Sequence, residues 1–283
     1  MAILGRTDLA CESPELSRLQ GADAHGLRVE RETLEGLDLL SVHIESDEGA
    51  GFLGKPRGHY YTLELGLSPH LAAEEFQHRV RAISKLIRRC IPRPISGSVL
   101  IAALGNPDIT PDAIGPMTAA NVLVTRHLKE RQIAGFEGFS STVLCRTGVL
   151  GTTGLESAAQ IRSLCGSLEP ELVIAVDALA GSEVGRLCRS VQICDSGISP
   201  GSGVGNDREE LSEGSLGVPV IAIGVPTVID AASLCQRDGL ERMFVTPRDI
   251  DSLVRSAGKL LGFGINMALH PGLSVEDMEL LVG

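Results

Sequence analysis

The chain has 283 residues, 43% of them hydrophobic, with 33 Gly and no Trp. That is enough for one large α/β domain or two smaller ones, with a core built from Val, Ile, Leu and Ala. A net charge of −11 and a pI near 5.1 argue against nucleic acid or an anionic membrane as the main partner, because both need a basic surface.

Seven cysteines stand at 11, 90, 145, 165, 188, 194 and 235, without CxxC spacing or a nearby His. They read as reduced thiols in the core, not as a disulfide framework or a zinc site. The start, MAILGRTDLACESPE, lacks the apolar core of a signal peptide, and no run is long enough to span a bilayer. A soluble, cytoplasmic protein is expected.

Residues 1–25 are small, polar and without periodicity, which predicts a poorly anchored start. Residues 27–45 alternate around Gly36 and predict a hairpin. GFLGKPRG is a glycine-bracketed loop carrying Lys55 and Arg57, either a solvated turn or a functional loop. Residues 59–65 are a further strand. Over 72–91, Phe76, Val80, Ile83, Leu86, Ile87 and Cys90 recur at spacings of three and four and predict a helix. Arg79, Arg81, Lys85, Arg88 and Arg89 fill its other face, which reads as solvated more readily than as a seat for an acidic partner.

The stretch that organises the chain is SVLIAALGNPDITPDAIGP, residues 98–116. Val99 to Leu104 form a short apolar run suited to a buried parallel strand. Gly105 and Asn106 break it, and Pro107 and Pro111 forbid an immediate helix. Asp112 follows, ahead of a helix expected over 115–130. Residues 140–145 predict a strand, 156–167 a helix, and 172–176 a second buried strand that Asp177 ends. Further strands are expected at 191–193 and 218–225, and a long helix at 249–269. Strands alternating with helices predict a single α/β domain, its mostly parallel central sheet covered by helices, with an N-terminal β-rich segment packed against it.

A carboxylate closing a buried strand is costly unless paired, hydrogen-bonded or functional. Asp112 and Asp177 both answer that description. If their strands are neighbours, the two acids can share a proton, taking one from water and giving one to a leaving amine. The alternative, equally open from spacing, is that each caps a helix. Asn106 and His127 are candidate supports of the same cleft, although a lone helical His is more often structural. Gly201, Gly203 and Gly205 do not match the dinucleotide fingerprint, and neither a phosphate loop, a GxSxG elbow nor an HExxH motif occurs. No metal site and no cofactor are expected.

The chain resembles the germination proteases of spore-forming bacteria, endopeptidases that degrade small acid-soluble spore proteins. The resemblance rests on RTDLACE, GKPRGHYYTLE, LGNPDITPDAIGP, VTRHL, TGVLGTTGLES, VIAVDALA, QICDSGISPGSGVGN, LGVPVIAIGVPTVIDA, MFVTPRDID and INMALH. It implies a fold similar to hydrogenase maturation endopeptidases and a homotetramer made as an inactive precursor. It also implies two essential aspartates, at Asp112 and Asp177, and action in the forespore and spore core. Relatives often carry a longer segment where residues 231–244 stand here. Family substrates are cut after an acidic residue that a hydrophobic residue and Ala follow. Asp8, Leu9 and Ala10 repeat that order, so Asp8–Leu9 is the expected self-processing bond, with 1–8 as propeptide and 9–283 as the peptidase domain. The rival expectations are a metal-linked maturation endopeptidase, with His127 as a third ligand, and a non-catalytic peptide-binding module.

Overall fold

The computed structural model describes residues 7–13, 15–16, 23–68, 71–201, 209–235, 240 and 243–282. Among these, ten strands join one sheet in the order β1-β2-β3-β4-β8-β9-β7-β5-β6, with β10 pairing β9. The N-terminal part comprises β1 (Asp23–Ala24), β2 (Leu27–Leu34), β3 (Leu37–Ile44), α1 (Asp47–Leu53) and β4 (Gly58–Glu64). Glu35 and Gly36, with φ of 53° and 79°, form the two-residue turn that closes β2 onto β3 through Leu34↔Leu37. Positive φ at both central positions suits the right-handed twist of a hairpin. The N-terminal segment therefore extends the main sheet, since β4 pairs with β8 over Tyr60–Glu64.

The central part begins with α2 (Ala73–Cys90) and β5 (Ser98–Leu104), followed by α3 (Ile114–Ala119), α4 (Arg126–Glu130) and β6 (Ser141–Gly148). Next come α5 (Leu150–Thr153), α6 (Ser157–Leu168), β7 (Leu172–Gly181) and β8 (Ser190–Cys194). The chain closes with α7 (Glu213–Leu216), β9 (Val220–Asp230), α8 (Ala231–Cys235), β10 (Phe244–Val245), α9 (Ile250–Leu269) and α10 (Val275–Val282). Strands β6, β5, β7 and β9 are parallel neighbours. β5 is buried on both faces, as its unbroken apolar run requires. Val99 and Ile101 pack toward α2, α3 and α9, whereas Leu100, Ala102 and Leu104 pack toward α6 and α7.

The cationic face of α2 is neutralised within the fold. Arg81 and Lys85 bind the Glu35 carboxylate, and Arg89 binds Glu32. Arg88 donates to the carbonyls of Met267 and Ala268 at the end of α9.

Three local expectations are corrected. The helix expected over 115–130 is two short helices, because the chain between them is held by α9 and β6. Leu123 N–H donates to Asn266 Oδ1 at 2.8 Å, and the Thr125 amide and hydroxyl engage Thr142. β7 does not end at Asp177 but runs on to Gly181, because β9 continues beside it while β5 stops. Residues 7–13 are firmly anchored rather than frayed, Leu9 and Ala10 being fully buried, while residues 1–6, 14 and 17–22 of the same expectation lie outside the described residues.

Candidate active site

The site lies where β5 gives out. Pairing of β5 with β7 ends at Ala103↔Val176, one residue before Asp177, and β7 then keeps only its β9 partner, Asp177 facing Gly224. β6 lies on one side of β5 and β7 on the other. A crevice at the carboxyl ends of such strands is where open α/β sheets hold ligands.

Asp112 is delivered to that crevice by a folded-back loop. Pro111 is the middle residue of a single 3-10 turn, Thr110–Asp112. The Asn106 N–H donates to both Asp112 Oδ2 at 2.9 Å and the Asp112 carbonyl at 3.1 Å. The Asn106 side chain in turn accepts from the Asp108 N–H at 3.0 Å. So Asn106 supports Asp112 mainly through its backbone. Gly105, at φ 102°, has to be glycine: a Cβ there would stand 2.0 Å from the Asp112 carbonyl oxygen. Gly115 is as constrained, since its Cβ would meet the Leu104 oxygen at 2.1 Å and the Val176 oxygen at 2.7 Å.

Thr227 ties this loop to the sheet. The β7–β9 register shifts so that Leu179 faces Pro226 and Ala180 faces Val228, leaving Thr227 as the extra residue of a bulge. Its buried hydroxyl donates to the Pro111 carbonyl at 2.6 Å. Pro226 in a central strand was the available signal, because proline there implies a bulge.

Asp177 is only 4% exposed, and its Oδ1 accepts the Ala178 N–H at 2.9 Å. Asp112 and Asp177 line one cleft of about 470 Å³, together with Ser157 at the start of α6 and the exposed Ile109 and Phe244 at the mouth. Asp8 lines it too. His127 is exposed on α4 and is not among the cleft residues. Gly201 lines the cleft, whereas Gly203 and Gly205 lie outside the described residues. Among the described residues no three His, Cys, Asp or Glu are grouped as a metal site, and no helix is long and apolar enough to cross a membrane.

The N-terminal segment lies beside the cleft and is held to the end of β7. Asp8 N–H donates to the Ala180 carbonyl at 2.9 Å, and Ala180 N–H donates to Asp8 Oδ2 at 2.8 Å. The buried Glu12 carboxylate accepts from the Thr7 and Ser182 hydroxyls and the Ser182 N–H. Asp8 also borders a second cavity of about 340 Å³, lined by Lys55, Tyr60, Gln192 and Gly224. Lys55 is turned inward by the left-handed Gly54 that ends α1, and burial lowers its affinity for a proton. Arg57, by contrast, is exposed and faces Asp47 at 3.6 Å.

The family model for germination protease matches residues 4–240. The chain belongs to the germination protease family. A germination protease of Clostridium perfringens is 34% identical over 318 aligned positions, covering 97% of this chain and 98% of the relative. One from Caldanaerobacter subterraneus subsp. tengcongensis is 36% identical, covering 99% of each. One from Bacillus cereus is 42% identical, covering 96% of this chain and 76% of the relative. Membership makes the chain a peptide-bond hydrolase of spore germination.

Proposed function

We propose that the chain is an aspartate-dependent endopeptidase that starts the degradation of small acid-soluble spore proteins, and that it is made as a precursor. The carrying observation is that Asp112, Asp177 and Asp8 line one cleft. One carboxylate takes a proton from water, whose oxygen attacks the scissile carbonyl carbon. The other, protonated, gives its proton to the nitrogen that leaves. Burial of Asp177 and the rigid seat of Asp112 fix both groups before substrate arrives, which is what positioning contributes to such a step.

The order Asp8, Leu9, Ala10 matches the preference that the resemblance implies, an acid followed by a hydrophobic residue and Ala. Asp8–Leu9 is accordingly the self-processing bond, and residues 1–8 form the propeptide. Before that cut, the docked segment occupies the place that substrate needs, which keeps the precursor silent. Assembly as a homotetramer and action in the spore interior complete the reading.

The test is incubation of the purified chain with a peptide carrying Glu-Ile-Ala, followed by mass spectrometry. Cleavage after Glu is expected, together with a new N-terminus at Leu9. A chain that cuts neither bond would be a binding module.

A further inference from the structure

Around the Asp8–Leu9 bond the two cavities have different chemistry. The cleft on one side holds the carboxylates of Asp112 and Asp177; the cavity on the other holds Lys55 and Gln192, and Asp8 borders both. The carbonyl oxygen of Asp8, the oxygen of the bond to be cut, points to the second group. Lys55 Nζ donates to it at 3.0 Å and Gln192 Nε2 at 3.2 Å. Lys55 also donates to the Thr7 carbonyl at 3.1 Å.

Gln192 grips both sides of the bond. Its Nε2 donates to the Asp8 carbonyl, while its Oε1 accepts the Ala10 N–H at 2.7 Å. Its own position is fixed by strand pairing, with Thr62 on one side and Gly224 on the other.

We propose that Lys55 and Gln192 are catalytic residues that stabilise the oxyanion formed at the carbonyl preceding the scissile bond, in self-processing and in substrate cleavage alike. This rests on the reading of Asp112 and Asp177 as the proton-transfer pair.

Water adds to the carbonyl carbon of residue 8, and the π electrons of the C=O bond move to its oxygen. That oxygen becomes negative between an ammonium and an amide N–H. The adduct then collapses, the C–N bond to residue 9 breaks, and the nitrogen takes the proton held by the second aspartate. One water is consumed, and one carboxyl and one amino group are formed. Donors fixed by a strand and a helix cap need no rearrangement as the charge develops, which is why such groups contribute strongly.

The experiment compares three variants, each checked for folding by circular dichroism. Self-processing of the full-length chain is followed by intact mass, and cleavage of the Glu-Ile-Ala peptide in trans by the same variants started at Leu9 gives kcat and KM separately. Gln192→Glu keeps the acceptor for Ala10 and removes the donor to the carbonyl. Lys55→Met removes the cation at similar size. Each should lower kcat by about 100-fold, the usual cost of one such donor, with KM little changed. Lys55→Arg, which keeps a cationic donor, should recover part of the Lys55→Met loss, so the proposal stays testable if Met is not tolerated. Wild-type kcat in Gln192→Glu and in whichever Lys55 variants fold, or losses confined to KM, would overturn it. Asp112→Asn and Asp177→Asn run alongside: if they also cleave normally, the underlying reading has failed, whereas if they alone are dead, only the oxyanion proposal has.

Discussion

Asp8 and Ala180 clasp each other through two hydrogen bonds, main chain to main chain at 2.9 Å and Ala180 N–H to the Asp8 carboxylate at 2.8 Å. Ala180 lies three residues beyond Asp177 on β7. The clasp thus fixes the N-terminal segment relative to a strand that carries half of the proposed dyad.

Asp8→Ala removes the carboxylate half of that clasp. A hydrogen bond to a charged group is worth about 1.5–3 kcal/mol, so the docked state should be depleted by about tenfold or more. Self-processing, measured by intact mass over time, should slow by at least that factor. Cleavage of a peptide in trans by chain already starting at Leu9 should be unaffected, since Asp8 is gone from that form.

The fit of α3 against the sheet makes a second expectation. Gly115→Ala would drive a methyl into the backbone oxygens of Leu104 and Val176, neither of which can rotate away. Overpacking of this kind costs about 1–3 kcal/mol, and here it also displaces Asp112, three residues earlier. A lower melting temperature should accompany a loss of kcat of about tenfold or more. Gly51→Ala on α1, where an added Cβ meets nothing, should change neither.

How much of this was legible in the sequence depends on how local the cause is. The turn that seats Asp112 was readable, because Gly105, Pro107 and Pro111 act on their own backbone. The extension of β7 past Asp177 was not, since it depends on β9 continuing to Asp230, some fifty residues further on. The anchoring of residues 7–13 was missed for the same reason. Its partners are Lys55, Ala180, Ser182 and Gln192, and no periodicity within the segment encodes them. Lys55 was visible only as a charge in a glycine-bracketed loop, and nothing near it indicated that its ammonium turns inward. The short α3 and α4 likewise reflect Thr125 and Thr142, which meet across 17 residues.

On the oxyanion proposal, Lys55 sets the alkaline limit of the reaction. Burial favours the neutral amine and lowers its pKa from the ordinary 10.5; Asp8, Cys194, Cys11 and Glu12 act in the opposite direction and only in part offset this. The protonated donor is therefore lost at lower pH than for a surface lysine. Self-processing should show an alkaline limb below pH 10.5, and Lys55→Arg should move that limb upward, because a guanidinium stays charged. Rate against pH for the two forms checks this.

His270 contributes to the loss of stability in acid. It is 1% exposed against Phe139, neither ring nitrogen has a hydrogen-bond partner among the described residues, and burial, with a smaller push from Lys129, lowers its pKa from 6.5 to about 4. The unfolded chain binds this proton more readily than the folded one, so the neutral ring's contribution is whole above about pH 6.5 and is lost as pH falls toward 4. At about 1.4 kcal/mol per tenfold in proton affinity, the loss is about 3 kcal/mol. Urea midpoints between pH 7 and pH 4 should fall less for His270→Phe than for the parent chain.

The most direct test of the account is the kcat of Asp112→Asn and Asp177→Asn on a Glu-Ile-Ala peptide, with each variant started at Leu9 so that processing is not required. Asn keeps the shape of the side chain and the acceptor that meets the Asn106 or Ala178 N–H, yet it cannot exchange a proton. The account predicts that both variants keep the parent's melting temperature within a few degrees and lose cleavage by at least about 100-fold, the lower end of what one proton-transfer group contributes. Near-parent kcat in either variant, with the fold intact, would contradict it.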